Sequence, residues 1–232
     1  MMDRIQKPVW KKEEHVFKEL IDGLKYTFGY APIKHLIILL TISSLLGMSY
    51  SVLMPVFTKE ILHGVSHTYG FLMGAAGVGA LMGAINLASH TSVIRLGRIV
   101  PFSAMLFGFS LIALSFSRNI PLSLILMFFI GLGMMTQTAA SNTILQKITD
   151  DDKRGRVMGF YSLAIMGTAP FGSLMAAGMA KIVGAPVTIL IVGTATVIGA
   201  LFFLKELPEL QKIVQPVYLK FAPKSNGVTD IQ

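Results

Sequence analysis

The chain has 232 residues, of which 53% are hydrophobic and only 14% are charged. Soluble domains carry about 25% charged residues, so this composition excludes an ordinary soluble domain and predicts a membrane protein. The net charge of +8 comes from cations scattered between apolar stretches, which argues against a nucleic-acid-binding patch and predicts no nucleic-acid partner. Because cysteine is absent, disulfides, thiolate metal sites and cysteine nucleophiles are excluded.

Residues 1–32 are predicted to form a cytoplasmic tail with an amphipathic helix between Glu13 and Tyr30. Apolar side chains recur there at the three- and four-residue spacing of a helix with one apolar face, at Phe17, Leu20, Ile21, Leu24 and Phe28. Such a helix lies on the membrane surface or packs on another protein segment, and the sequence leaves both open.

Six apolar segments follow, and each is long enough to cross a hydrocarbon core about 30 Å thick, which needs roughly 20 helical residues. These predicted spans make residues 33–204 one domain and lie near 35–57, 69–89, 99–117, 121–145, 157–180 and 184–204. Four prolines lie at or near the predicted starts of spans, where a missing N–H costs little. They are Pro32, Pro101, Pro121 and Pro186. Residues 205–232 are polar and are predicted to be a second cytoplasmic tail, not a seventh span.

The predicted fold class is therefore an all-α membrane protein with six transmembrane helices, and its cations predict the orientation. With the N-terminus in the cytoplasm, 17 of the 20 Lys and Arg residues fall on the cytoplasmic side, and only Lys59, Arg118 and Lys181 lie outside. Cytoplasmic loops are enriched in Lys and Arg. Both termini are therefore predicted to be cytoplasmic, in a multi-pass protein of the inner (plasma) membrane.

A dense charged turn, Asp150–Arg156, joins the fourth and fifth spans. It contains Asp152, Arg154, Gly155 and Arg156 and is predicted to be a tight loop at the cytoplasmic face. Its charges act either as a positive-inside anchor or as partners of a neighbouring helix end or anionic lipid that bias a conformational switch. The sequence leaves both roles open.

Small residues crowd the second and fifth spans. Glycines in the second span form two pairs at the spacing that lets membrane helices approach closely: Gly70 with Gly74, and Gly79 with Gly83. In the fifth span, Pro170 is predicted to kink the helix and leave a carbonyl free, with Gly167 and Gly172 beside it. These three positions are either a packing surface or a hinge that moves during a transport cycle.

The turn and its surroundings resemble a known family. The turn RGRVMG at 154–159 continues into Tyr161-Ser162-Leu163 and Gly167-Thr168-Ala169-Pro170. A shorter, similar motif lies at Arg95-Leu96-Gly97-Arg98. With the six-span unit, they resemble the major facilitator superfamily, and this resemblance covers about residues 13–205. More narrowly, they resemble the C-terminal half of its bacterial exporter branch, which includes enterobactin-exporter-like and macrolide-efflux-like proteins.

The resemblance implies one half of a secondary-active transporter in which two six-span halves face each other. It implies export of a small amphipathic substrate, of drug or siderophore type, by alternating access. The first, second, fourth and fifth spans would line the cavity, the third and sixth would face lipid, and Arg95, Gly97 and Arg98 would act in gating. The implied partners are the lipid bilayer, the substrate, and a missing N-terminal half or a second copy. The alternative is a truncated non-transporting remnant, or a membrane assembly partner, that keeps only the fold.

The spans contain uncharged polar residues but no Asp, Glu, Lys or Arg. An intramembrane charge is the usual mark of a proton relay or a charged-substrate site, and hydrolysis at that depth needs ionisable groups, so no enzyme activity, cofactor or metal site is predicted. Polar and methionine side chains are the candidates for lining a substrate cavity, although they also suit interhelical hydrogen bonds and packing. These candidates are Ser44, Met48, Ser51, Asn86, Met134, Gln137, Thr138, Ser141, Tyr161 and Met166.

Overall fold

The computed structural model describes residues 29–47, 49–88 and 93–221. The amphipathic helix predicted between Glu13 and Tyr30 lies almost entirely outside the described residues, and Met48 lies outside them as well. Within the described ranges the helices are α1 (Ala31–Gly47), α2 (Ser49–Glu60), α3 (Ser66–Ala88), α4 (Val93–Phe116), α5 (Ile120–Ile148), α6 (Asp151–Ser162), a π-helical segment (Leu163–Gly167), α7 (Ala169–Val183) and α8 (Ala185–Phe221).

These helices form six segments that are long and apolar enough to cross a membrane. They are called the first to sixth spans in chain order: Pro32–Glu60, Ser66–Ala88, Leu96–Phe116, Ile120–Ile148, Asp151–Val183 and Ala185–Pro208. The first span consists of α1 and α2, and the fifth consists of α6, the π-helical segment and α7. The predicted fold class, an all-α membrane protein with six transmembrane helices, is confirmed for the described part of the chain.

The spans pack in an order that differs from their order in the chain. The second span packs on the fourth, the fourth on the third, the third on the sixth, the sixth on the first, and the first on the fifth. The first three spans repeat the arrangement of the last three, because the first contacts the fifth and sixth as the fourth contacts the second and third. The second and fifth spans therefore stand at the two ends of this series, each with one main neighbour.

Two apolar clusters form the core, one towards each end of the bundle. The first includes Leu145 and lies at the end that carries Asp150, which is called the Asp150 end. The second includes Phe57 and lies at the opposite end, which carries Lys59 and is called the Lys59 end. In a bilayer, close packing rather than removal from water holds such helices together, because the lipid tails are as apolar as the side chains.

Glycines determine how closely the second and fourth spans cross. A Cβ added at Gly79 would overlap the backbone carbonyl of Phe128, and a Cβ added at Gly131 would overlap the carbonyl of Ala76. Only a residue without a side chain allows the two backbones to meet at this distance. The close approach predicted for the Gly79/Gly83 pair is therefore confirmed.

The other glycine pair of the second span does not take part in this crossing. Nothing described lies within 4 Å of a Cβ added at Gly70 or Gly74, so the prediction of close packing is wrong for them within the described chain. The four-residue spacing is the same in both pairs, but only Gly79 and Gly83 lie on the face turned to the fourth span.

Residues 151–156 of the charged segment Asp150–Arg156 are helical, so its prediction as a tight loop is wrong. Helix α6 begins at Asp151, and only Thr149 and Asp150 separate it from α5. Asp151 and Asp152 occupy the first turn of α6, where carboxylates interact favourably with the positive end of the helix dipole. The acidic residues therefore stabilise the start of a helix instead of marking a loop.

Pro101 lies near the start of the third span, which begins at Leu96, as predicted, but it is inside a helix because α4 already begins at Val93. Its missing N–H interrupts the backbone bonding of the preceding turn. Ser103 Oγ donates to the nearby carbonyls of Ile99 at 2.7 Å and Val100 at 3.0 Å. The carbonyl four residues before Pro101 is that of Gly97, so these two bonds are ordinary back-bonds of a helical serine and do not replace the missing one.

Residues 205–221, predicted as the start of a polar tail, continue helix α8. The 37 residues of α8 span about 55 Å at about 1.5 Å per residue, which exceeds the hydrocarbon thickness of about 30 Å. The membrane-spanning part ends at Pro208, and no further candidate span follows within the described residues. The helix therefore projects beyond the membrane at the Asp150 end.

Candidate functional site

A mid-bundle polar cluster lies where the first, fourth and fifth spans meet. It consists of Ser43 and Ser44 on α1, Gln137 and Thr138 on α5, and Ile165 in the π-helical segment. Along each of these three spans, one apolar cluster precedes these positions and the other follows them. The polar cluster therefore occupies the middle of the bundle.

Hydrogen bonds at this cluster join three spans. Gln137 Nε2 donates to Ser43 Oγ at 2.7 Å, which links the fourth span to the first. Ser44 Oγ donates to the carbonyl oxygen of Ile165 at 2.6 Å, which links the first span to the fifth. Gln137 and Ser44 are both buried. Bonds of this kind contribute about 0.6 kcal/mol on average in a membrane, so their main effect is to set which helix faces meet.

The π-helical segment explains why the Ile165 carbonyl accepts a bond from another span. Pro170 has no N–H, so regular helical bonding cannot continue through this point. The wider turn over Leu163–Gly167 shifts carbonyls away from their usual backbone donors. Ser44 then supplies a donor from the first span. The carbonyl predicted to be freed by Pro170 is that of Ile165, in the turn before the proline, and the predicted kink stays a prediction.

The three predicted hinge residues lie in or just after this interruption. Gly167 ends the π-helical segment, and Pro170 stands in the first turn of α7. Gly172 is a packing position as well, because a Cβ added there would overlap the backbone carbonyl of Leu45 in the first span. The interruption is therefore held against the first span on both sides, and a hinge motion at this point stays a prediction.

The cavity at the polar cluster is too small for a substrate. Its volume is about 20 Å³, which is room for roughly one water molecule. Ser141 lies one turn from Gln137, is fully buried, and its hydroxyl has no hydrogen-bond partner among the described residues. Tyr161 donates its hydroxyl to the carbonyl of Thr138 at 3.3 Å. Four predicted residues line this small cavity: Ser44, Met134, Gln137 and Thr138.

Other predicted cavity residues lie elsewhere. Ser51, Asn86 and Met166 are on exposed faces of the first, second and fifth spans. Ser43 and the Ile165 carbonyl, which are not among the ten predicted cavity residues, also belong to the site. Pro170 signals that some carbonyl is free, but the residue that bonds it depends on which spans are neighbours.

The charged pairs at the Asp150 end are local. Arg154 pairs with Asp151 at 2.7 Å, and Lys153 approaches Asp150 at 4.0 Å. Both pairs lie at the start of α6 and involve exposed side chains, so each contributes about 0–1 kcal/mol. These contacts stabilise the first turn of α6.

The remaining residues predicted to act in gating also lie towards the Asp150 end. The exposed or half-buried ones are Gly97, Arg98, Asp152, Gly155 and Arg156. The side chain of Arg95 is not among those that the structure describes. Burial raises the pKa of the Tyr30 phenol, just before the first span, and the nearby Asp150 carboxylate raises this pKa further. A gating role for these residues stays a prediction.

Six spans, two apolar clusters and an uncharged polar cluster between them define a multi-pass membrane protein of the kind that forms transporters. The family model described as "Transmembrane secretion effector" matches residues 3–225. Because this match covers nearly the whole chain, the chain belongs to that family of the major facilitator superfamily. The resemblance seen in the sequence is confirmed at the level of the superfamily.

Two relatives agree with this assignment. The chain is 28% identical over 157 residues to the Staphyloferrin A transporter of Staphylococcus aureus (strain NCTC 8325 / PS 47), a match that covers 68% of this chain and 39% of that protein. It is 24% identical over 200 residues to the uncharacterized MFS-type transporter YfmI of Bacillus subtilis (strain 168), covering 84% and 49%. The matches thus cover less than half of each relative, and the chain spans about half the length of both. Both names are those of transporters and not of enzymes, as the sequence predicts.

Proposed function

We propose that this chain is the C-terminal six-span half of a secondary-active transporter that exports small amphipathic molecules, of drug or siderophore type. The substrate binds near the membrane midplane between this half and a facing six-span half, and access alternates as the halves rock. Family membership supports transport, and the matched share of each relative, 39% and 49% of its length, supports a half. The name of the first relative supports a siderophore-type substrate.

The exposure of the second and fifth spans carries the proposal. In the most apolar 18-residue stretch of each of these two spans, only 28% and 17% of the stretch is buried within the chain, against 56% in the first and third spans. In the fifth span, Leu163, Met166 and Leu174 expose 61%, 77% and 74% of their surface. The same two spans have glycines with open space beside them, such as Gly74 and Gly178. Small residues on an open face favour close approach of another helix over contact with lipid alone, which supports a facing half.

The membrane orientation is part of the proposal. The chain lies in the inner (plasma) membrane, with the Asp150 end and both termini in the cytoplasm. Lys59, Arg118 and Lys181 all stand at the Lys59 end, where the first, third and fifth spans finish. The chain has no native cysteine, so a single Ser66→Cys variant is labelled at one known position. A membrane-impermeant maleimide is expected to label it in intact cells, and labelling only after lysis would reverse the orientation.

Crosslinking tests the facing half. Leu174→Cys lies on the fifth span, and Phe109→Cys is the matched control on the third span, where Phe109 exposes 52% of its surface. In liposomes, mild oxidation is expected to link two copies, or a copy and a co-expressed half, through Leu174→Cys but not through Phe109→Cys. Equal crosslinking of both variants would indicate random collision and contradict a specific face.

Efflux of amphipathic dyes from the same liposomes tests transport. The monomer is expected to be inactive because the polar faces of its spans lack a facing partner, and activity is expected to appear with the crosslinkable assembly. Robust efflux by a demonstrated monomer would contradict the half-transporter proposal. An inactive but correctly assembled pair would favour the alternative, a non-transporting remnant or assembly partner.

A further inference from the structure

Helix α8 carries an apolar stripe in its sequence past the end of the sixth span. The spanning part ends at Pro208, whereas the helix continues to Phe221. Past Pro208, apolar residues recur at successive spacings of four, three and four residues, at Leu210, Val214, Val217 and Phe221. Positions with this spacing lie along one face of a helix, which is called the α8 stripe. Outside the bilayer the hydrophobic effect favours covering such a face, so the α8 stripe predicts a partner.

The two spans that pack on the sixth do not extend far along this stripe within the described residues. A Cβ added at Gly97 of the third span would lie 3.8 Å from Leu207. Helix α4 begins at Val93, only four residues before Gly97, so it ends alongside α8 near Gln211. The first span begins at Pro32, in the same apolar cluster region as Leu207. Most of the α8 stripe therefore lies beyond both neighbours.

The chain before the first span has a matching stripe in its sequence. In residues 17–28, outside the described part of the chain, apolar residues recur at the same spacings of four, three and four, at Phe17, Ile21, Leu24 and Phe28. Tyr30, two residues later, packs on the apolar cluster that contains Leu207. The N-terminal segment therefore joins the bundle close to the point where α8 leaves it. Each stripe covers twelve residues, which as helix extend about 18 Å at about 1.5 Å per residue.

The register of the first and sixth spans places the two stripes opposite each other. These spans run in opposite directions, and the groove between them is lined by residues from His35 to Ile42 and from Ala195 to Phe203. The middle of each stretch, Leu39 and Gly199, therefore lies at the same level, and a Cβ added at Gly199 would lie 3.8 Å from the Leu39 side chain.

This register can be followed towards the Asp150 end, because each step back along the first helix matches one step forward along α8. Phe28 is eleven residues before Leu39, and Leu210 is eleven residues after Gly199. The same counting places Leu24 opposite Val214, Ile21 opposite Val217 and Phe17 opposite Phe221. All four positions of one stripe thus coincide with all four positions of the other.

The charges of the N-terminal segment favour a protein surface over a lipid surface. An amphipathic segment can also lie on the membrane, with a polar face that is typically rich in Lys and Arg and is attracted to anionic lipid. Residues 13–28 instead contain four acids against two lysines, namely Glu13, Glu14, Glu19 and Asp22 against Lys18 and Lys25. This excess of negative charge opposes adsorption to an anionic leaflet.

We propose that residues 17–28 dock on residues 210–221 of α8 as an antiparallel helical hairpin. The two stripes form its core, so that the packing of the first span on the sixth continues outside the membrane. A segment of about 12 residues is marginal as a helix by itself, but α8 is already helical to Phe221 and offers an ordered surface. In the proposed orientation the hairpin lies in the cytoplasm. The contact belongs to this chain alone and does not depend on transport.

Disulfide crosslinking of the full chain in liposomes tests the contact, because the chain has no native cysteine. Leu24→Cys with Val214→Cys places one cysteine in each stripe at the same level. Mild oxidation is expected to link them within one chain at least about tenfold faster than Leu24→Cys with Lys212→Cys. Lys212 is the matched position, two residues away and on the other side of α8. Equal rates for the two pairs, or links only between two chains, would overturn the proposal.

Hydrogen exchange followed by mass spectrometry tests the coupling without a crosslink. Val217→Asp puts a charge into the α8 stripe and is expected to speed amide exchange in residues 17–28 about tenfold, because docking protects these amides. Gln215→Asp adds the same charge off the stripe and is expected to leave their exchange unchanged. Unchanged exchange of residues 17–28 in Val217→Asp would refute docking on α8.

A nitroxide attached to Leu24→Cys distinguishes the membrane surface. In the hairpin its spectrum is expected to broaden little with oxygen dissolved in the bilayer, because the label lies outside the lipid. Strong broadening by oxygen, together with exchange that does not respond to Val217→Asp, would assign residues 17–28 to the membrane surface and refute the hairpin. An inactive protein in the efflux experiment leaves all three results unaffected.

Discussion

Gly79→Ala is expected to destabilise the chain because the added methyl group meets backbone and not a movable side chain. The new Cβ would overlap the carbonyl oxygen of Phe128 and lie 2.8 Å from its carbonyl carbon and 3.0 Å from the nitrogen of Leu132. Ordinary contacts begin at 3.4 Å, so the second and fourth spans must move apart along their whole crossing. Overpacking of this kind costs about 1–3 kcal/mol. The better helix propensity of alanine returns up to about 1 kcal/mol, and a full return leaves a net loss of about 0–2 kcal/mol.

Gly77→Ala is the matched control, two residues away on the same helix. Nothing described lies within 4 Å of a Cβ at Gly77, so this variant is expected to be neutral or more stable by up to about 1 kcal/mol. Unfolding in mixed micelles by a denaturing detergent, followed by circular dichroism, measures both. Gly131→Ala closes the same crossing from the other side, so the double variant with Gly79→Ala is expected to lose less than the sum of the two losses. Equal stabilities of Gly79→Ala and Gly77→Ala would refute the close crossing.

Three further predictions concern the ends and the middle of the bundle. Ser44→Ala removes the hydroxyl that bonds a carbonyl of the π-helical segment and is expected to cost about 0.6–1.7 kcal/mol in the same unfolding assay, whereas no change would show that this bond is replaceable. In an assembled transporter, the double variant Arg154→Lys with Arg156→Lys is expected to slow efflux, with normal membrane insertion and nearly unchanged substrate affinity. Lysine keeps the positive charge but not the planar guanidinium that bonds two acceptors at once. A normal efflux rate would leave these arginines only the role of positive-inside anchor. In a spectroscopic titration, the difference between the native chain and Tyr30→Phe is expected to have its midpoint above pH 10, since burial and a nearby carboxylate raise the pKa. The stability that the neutral Tyr30 phenol contributes is complete below about pH 10 and is lost as the pH rises through its raised pKa, and a midpoint at or below pH 10 would contradict its burial.

The errors in the sequence predictions have local and non-local causes. The charged segment Asp150–Arg156 was predicted as a loop because its charge density was taken as a sign of a turn, although acids followed by bases also suit the first turns of a helix. Pro101 was expected where a missing N–H costs little, although it is inside α4, because charge-free segments, and not helix caps, set the predicted bounds. Local sequence contains enough information to correct the first error, because the helix dipole acts within one or two turns.

The sequence by itself determined that this is an all-α membrane protein with six spans, and its charge pattern and motifs pointed to the superfamily. Each membrane helix must satisfy its own backbone and be apolar over about 20 residues, and both requirements are met within one segment. Only the tertiary structure decided that Gly79 packs and Gly74 does not, and that Ser44 bonds the Ile165 carbonyl. These contacts join spans that are far apart in the chain, and the identity of neighbouring spans depends on how all six helix surfaces fit together.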